Sequence, residues 1–152
     1  MNGPISSITI TVSADRKKPG TLVFADAAGK TQFSCQCLAR SVGHESNPDR
    51  DPTKYRGDTP VGRYAQTFVS HLPHPVTGIG QLWIGLDPDD FHHDQARQAE
   101  LAGRRGLGIH GGRANVVLKA THGCVRLLDR DMADLARIAG KARFTVEVRE
   151  QA

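Results

Sequence analysis

Aromatic residues are scarce in this 152-residue chain, with one Trp, two Tyr and five Phe. Single-stranded nucleic acid is held largely by rings on which bases stack, and the arginines, among them Arg40, Arg63, Arg97 and Arg137, are scattered rather than gathered into one stripe. No nucleic-acid partner is expected. Cysteine is also sparse, at three. The count is odd, and Cys35 and Cys37 are too close in sequence for an easy disulfide, so free thiols and a reducing compartment are expected. The start, MNGPISSITITVSADRKK, has neither the charged opening nor the apolar run of a secretory leader, and no stretch reaches membrane-spanning length. These absences lead to the expectation of a cytoplasmic chain with no membrane partner. A periplasmic location is the alternative, if a leader has been removed or export needs none.

What is present points to turns and strands. Sixteen glycines and eight prolines interrupt the sequence, while 38% hydrophobic and 24% charged residues are ordinary for a globular protein. The length suits one domain over residues 1–152, large enough to bury a core without metal or disulfide staples. A net charge of +4 favours an anionic partner.

The segment SSITITV (6–12) alternates Ile8, Ile10 and Val12 with polar residues, the period of a half-buried strand. GTLVFAD (20–26) and KTQFSCQCLA (30–39) read as a hairpin around Ala27-Ala28-Gly29. In its second strand Phe33, Cys35 and Cys37 share one face, so both cysteines are expected to be small core residues. Residues 40–60 are polar and aperiodic and read as a long surface loop with a functional role. Strands are expected at 62–71 and 81–87, separated by LPHPVTGIG, with helices over 91–105 and from Asp129 as N-cap to Gly140, and a last strand at 144–149. The fold class is therefore mainly β with one or two short helices.

Of the seven histidines, His71 and His74 have no cysteine or acidic set around them and make a poor zinc site. His44, His92 and His93 read as surface residues. His110 differs, ending the strand-like run GLGIH just before Gly111-Gly112. Cys124, in THGCVRL, is a candidate nucleophile: a thiolate needs an imidazole and a donor-rich, partly positive setting. His110 and His122 are both candidate bases. Gly123 permits a tight turn that can aim backbone N–H groups at an oxyanion, and Arg126 falls on the same side as Cys124 if the segment is extended. Its planar fork could clamp a carboxylate; a structural pairing with Asp129 or Asp131 is the other reading. The spacing from Cys124 to Arg130 matches protein phosphatases, but VRLLD lacks the glycines of a phosphate-cradling loop.

Together IHGG (109–112), THGCVRL (121–127) with a helix after it, and GDTPVGRYA (57–65) resemble the catalytic domain of the YkuD-type L,D-transpeptidases, including its L,D-carboxypeptidase members. The eleven residues between His110 and His122 are fewer than is usual in that family, so a lid-like segment is trimmed. The resemblance implies a β-sandwich-like fold acting on peptidoglycan stem peptides or muropeptides without metal or cofactor. It implies Cys124 as nucleophile, His110 as base and acid oriented by the Gly111 carbonyl, and the N–H groups of His122, Gly123 and Cys124 as an oxyanion hole. Arg126 falls where a substrate carboxylate would be held. The expected reaction cleaves the L,D bond before a terminal D-alanine through a thioester that water resolves, as in peptidoglycan recycling. A transpeptidase forming 3-3 cross-links and an exported antibacterial effector are alternatives using the same chemistry. A module that only binds peptidoglycan fragments is the non-enzymatic one.

Overall fold

A computed structural model of the chain describes residues 5–151. In chain order the strands are β1 (Ser6–Val12), β2 (Gly20–Ala25), β3 (Thr31–Cys37), β4 (Gly62–Thr67), β5 (Val69–Val76), β6 (Gly80–Leu86), β7 (Leu107–His110), β8 (Val125–Arg126) and β9 (Phe144–Glu150). Helix α1 (Gln95–Leu101) lies between β6 and β7, and α2 (Asp129–Ala139) between β8 and β9. Five strands form one sheet in the order β3-β2-β1-β9-β4, and four form a second in the order β5-β6-β7-β8. The pairs β1–β9 and β7–β8 are parallel and the others antiparallel, so both sheets are mixed.

Period-two alternation turns one face of each sheet inward. Ile8, Ile10, Leu22, Phe24, Val146 and Val148 from the larger sheet meet Ile84, Leu86, Ile109 and Val125 from the smaller one in a single cluster. Phe24 and Phe144 pack edge to face at 5.7 Å inside it. The apolar side of α2, with Met132, Leu135, Ala136 and Ala139, packs into the same cluster and touches both β3 and β6. Cys37 is fully buried and Cys35 partly so, each with its thiol pushed up to about 12, chiefly by burial. No helix among the described residues is long and apolar enough to cross a membrane.

Several boundaries differ from expectation. Residues 62–71 form two strands, because the chain leaves the edge of the larger sheet at Thr67 and joins the edge of the smaller one at Val69, with half-exposed Phe68 at the corner. Of the segment expected to separate strands, only residues 77–79 do so, because β5 continues through Pro73 and Pro75 to Val76 and β6 begins at Gly80. An edge strand tolerates proline because its outer N–H groups need no partner, and the register is irregular there. Helix α1 is shorter than expected and starts at Gln95, because Asp94 caps it by accepting the Arg97 N–H; His92 and His93 precede it. In α2 the N-cap is Leu128, which makes no side-chain cap, and Asp129 is the first helical residue.

The 38–61 segment is more than a surface loop. Leu38 and Arg126 exchange both backbone hydrogen bonds at 2.9 Å, Val42 N–H donates to Thr121 O at 2.8 Å, and Thr121 N–H donates to Arg40 O at 3.1 Å. The loop thereby covers the free edge of β8. Ser41, Asn47, Asp58 and Thr59 are buried within it. Asp58 accepts from Ser41 N–H (2.8 Å) and Arg50 Nε (3.2 Å), and Asn47 donates to the carbonyls of Asp51 and Tyr55. Hydrogen bonding replaces apolar burial here, which is why polar composition misrepresents the segment as solvent-exposed.

Candidate active site

The register of β7 against β8 pairs Ile109 with Val125 and His110 with Arg126. Ile109 and Val125 point into the core, so alternation sends His110 and Arg126 to the opposite face, along with Gly108 and Cys124 one step earlier. His110, and Cys124 immediately before β8, therefore project to one face of the smaller sheet.

His110 is only 3% exposed. Its Nδ1 is 2.6 Å from the Gly111 carbonyl oxygen, a contact that calls for the proton on Nδ1 and leaves Nε2 as an acceptor. Across β6–β7 its ring stacks on Trp83 at 5.7 Å and 13°. The same indole covers Gly108: a Cβ there would lie within 3.0 Å of three indole atoms. Burial pulls the His110 pKa below the ordinary imidazole value, the Gly111 carbonyl opposes this, and the Arg126 charge adds to the lowering. Asp129 accepts the Gly112 N–H at 2.6 Å and so ties the start of α2 to the turn after His110.

The Cys124 turn is braced from two sides. Thr121 Oγ1 accepts the Gly123 N–H at 3.0 Å and donates to Cys124 O at 2.8 Å. From the long loop, buried Thr59 Oγ1 donates to Gly123 O at 2.6 Å. Gly123 has φ +124° and lies against the Arg104 guanidinium and Gly57 O, where a side chain would collide. Arg104 donates to the carbonyls of Pro52 (2.6 Å), Asp58 (2.8 Å) and Gly57 (3.2 Å). Cys124 is half-buried, and burial pushes its thiol pKa up against three lowering influences: a hydrogen bond from the Gly108 backbone and the charges of Arg104 and Arg126. Burial thus works against the charged form of both groups, the thiolate of Cys124 and the imidazolium of His110.

Two clefts meet at the exposed ring of His122. One, of about 590 Å³, is bordered by Val42, Gly78, His110, Arg113, Lys119 and Arg126. The other, of about 460 Å³, is bordered by Tyr55, Arg56, Arg104, Arg105 and Leu107. No acidic side chain among the described residues lines either one. Arg126 is 7% exposed and donates to the carbonyls of Lys119 (3.2 Å), Ala120 (3.1 Å) and Gly78 (2.7 Å), while its buried Nε has no partner. It makes no ion pair with Asp129 or Asp131.

A family profile described as the YkuD L,D-transpeptidase catalytic domain matches residues 16–148. This chain belongs to that family. Among solved structures it is similar to the helical cell shape determining protein Pgp2 from Campylobacter jejuni, at 16% identity and a TM-score of 0.60, covering 97% of this chain and 49% of that one. A mutant of Pgp2 aligns equally, with TM-score 0.59, 16% identity, and 99% and 49% coverage. At that identity the likeness concerns the fold, and the chain spans about half the length of those structures. No curated protein matches significantly.

Within this YkuD domain the structure gathers His110, Gly111, His122, Gly123, Cys124 and Arg126 around one junction. The Gly123 N–H, expected to face an oxyanion, donates to Thr121 Oγ1 at 3.0 Å in this structure. Sequence reasoning assigned nothing to Thr59, Trp83, Arg104 or Thr121. Thr59 and Thr121 lie inside quoted motifs, and Trp83 is the sole tryptophan. Arg104 carries no local signal.

Proposed function

We propose that this domain is a cysteine acyl-transfer enzyme acting on peptidoglycan stem peptides, with water as acceptor: an L,D-carboxypeptidase. The observation that carries this reading is the placement of Cys124, just before β8, and His110, at the end of β7, on one face of the smaller sheet, beside two clefts lined only by neutral and cationic side chains. As the sulfur attacks the carbonyl before the terminal D-alanine, His110 Nε2 takes the thiol proton as general base. The carbonyl electrons move to oxygen, where the amides of Cys124 and His122 meet the charge. Collapse of the intermediate breaks the C–N bond, and His110 passes the proton to the departing amine, leaving an acyl thioester. Water then adds with His110 as base, releasing the shortened peptide and regenerating the thiol.

The charge pattern supports both substrate and acceptor. Stem peptides carry several carboxylates, and the larger cleft is bordered by the cations Arg113, Lys119 and Arg126, which suit such a substrate. An incoming ammonium would find no carboxylate in either cleft to hold it, whereas water needs none. A cytoplasmic place in peptidoglycan recycling follows as part of the proposal. The presence of a second cleft on the far side of His122 favours the other reading, an L,D-transpeptidase that seats a second stem there. Incubation with purified disaccharide-tetrapeptide, with products separated by mass, tests both. Tripeptide with free D-alanine is expected. Cross-linked dimer, or exchange with added D-amino acids, would replace the hydrolase by the transpeptidase, and no reaction at Cys124 would remove the enzyme reading altogether.

A further inference from the structure

The Gly123 carbonyl and the Cys124 N–H belong to one planar trans peptide unit, in which they point in opposite directions. Whatever fixes that carbonyl also aims that amide. Thr59 Oγ1 fixes it, with a 2.6 Å hydrogen bond spanning 64 residues of sequence. Thr59 is itself immobilised. It is fully buried, its carbonyl accepts from Arg16 Nη1 at 2.9 Å, its N–H donates to Ala39 O at 3.3 Å, and Pro60 restricts its backbone. On the preceding peptide Thr121 holds the Gly123 N–H and so removes that group from the oxyanion set. The two threonines thus divide the turn: one occupies the amide of Gly123 and the other directs the amide of Cys124.

We infer that Thr59 is a positioning residue for acyl transfer, acting through the Gly123 carbonyl to aim and polarise the Cys124 N–H as an oxyanion donor. The inference rests on the acyl-transfer reading above and deepens it. A hydrogen bond accepted by an amide oxygen draws electron density from its nitrogen and makes the N–H a stronger donor. The hydroxyl touches no substrate. Its influence is confined to steps in which negative charge grows on the carbonyl oxygen under attack.

This confinement supplies the test. Thr59→Val keeps the shape and removes the hydroxyl, while Thr59→Ser keeps the hydroxyl and removes a methyl. Two reactions of Cys124 are compared in each variant: D-alanine release from disaccharide-tetrapeptide, which passes through an oxyanion, and alkylation by iodoacetamide, a direct displacement that does not. Thr59→Val is expected to slow D-alanine release measurably, by up to the roughly 10²–10³-fold that loss of one oxyanion donor costs, with the alkylation rate and its pH profile unchanged. Thr59→Ser is expected to restore release. Parallel loss of both reactions in Thr59→Val, or a folded Thr59→Ser that fails to release D-alanine, would make Thr59 a packing residue and overturn the inference. Release at the wild-type rate in Thr59→Val would overturn it too, with the acyl-transfer reading intact. Wild-type protein that alkylates but releases no D-alanine would overturn both.

Discussion

Gly108→Ala places a methyl group against the indole of Trp83, and its consequences can be worked from the structure. The new Cβ would lie 2.7 Å from Trp83 Cε2, with two further ring atoms closer still, whereas ordinary contact begins at 3.4 Å. The indole must therefore retreat by about 1.0 Å (3.4 − 2.4), as its two closest atoms demand, or β7 must shift. Overpacking of this kind costs about 1–3 kcal/mol, and a domain of this size loses about 2–4 °C of melting temperature per kcal/mol. The expected fall is thus about 2–12 °C. The catalytic effect should be larger than the stability effect, because the displaced ring is the one stacked on His110. A misplacement near 1 Å can cost about 10²-fold in rate. Calorimetry gives the first number and D-alanine release from disaccharide-tetrapeptide gives the second. A variant that melts within a degree of wild type and turns over at its rate would refute the packing of Trp83 over Gly108 and the dependence of His110 on it.

Arg126→Lys should raise the Michaelis constant about tenfold or more, since one ammonium cannot span carbonyls on both cleft walls and still offer a planar fork to a carboxylate; lost stability with normal kinetics would leave Arg126 purely structural. For His110 the folded pKa lies below that of the unfolded chain, so the unfolded state binds the proton more tightly. Stability from this group is full above about pH 6.5 and is lost as pH falls through the folded value. Chemical denaturation across that window should show the decline in wild type and a shallower one in His110→Gln. Equal slopes would place the acid sensitivity elsewhere.

The legible parts of the fold were those governed by local periodicity. β1, the β2–β3 hairpin and β9 each alternate along their length, and a hairpin turn needs only its own residues. The corner at Phe68 could not be read, because a strand can change sheets without a glycine or proline to mark the place; only the partners differ. The prolines of β5 misled for a related reason: their cost depends on whether the strand is central or at an edge, which is decided by the other strands. At the site, His110, Cys124 and Arg126 stand in short contiguous motifs whose chemistry is evident from residue type and spacing. Arg104 and Thr59 reach the same turn from other parts of the chain. Arg104 follows α1 in a run of small and basic residues, and only the packing of Gly57 and Gly123 around its guanidinium reveals its place. Residue type marks Asp129 as the N-cap of α2, yet its carboxylate accepts from the glycine turn after His110 instead of capping the helix.

The stack of Trp83 on His110 has an optical consequence. As the chain contains one tryptophan, its indole emission comes from a single ring stacked, near-parallel and offset, on the proposed base. An imidazolium quenches a neighbouring indole far more strongly than a neutral imidazole does. The unlabelled protein therefore carries its own gauge of that proton: a fluorescence titration reads the ionisation of His110 directly, and stopped-flow traces during turnover would register each moment at which the ring becomes charged.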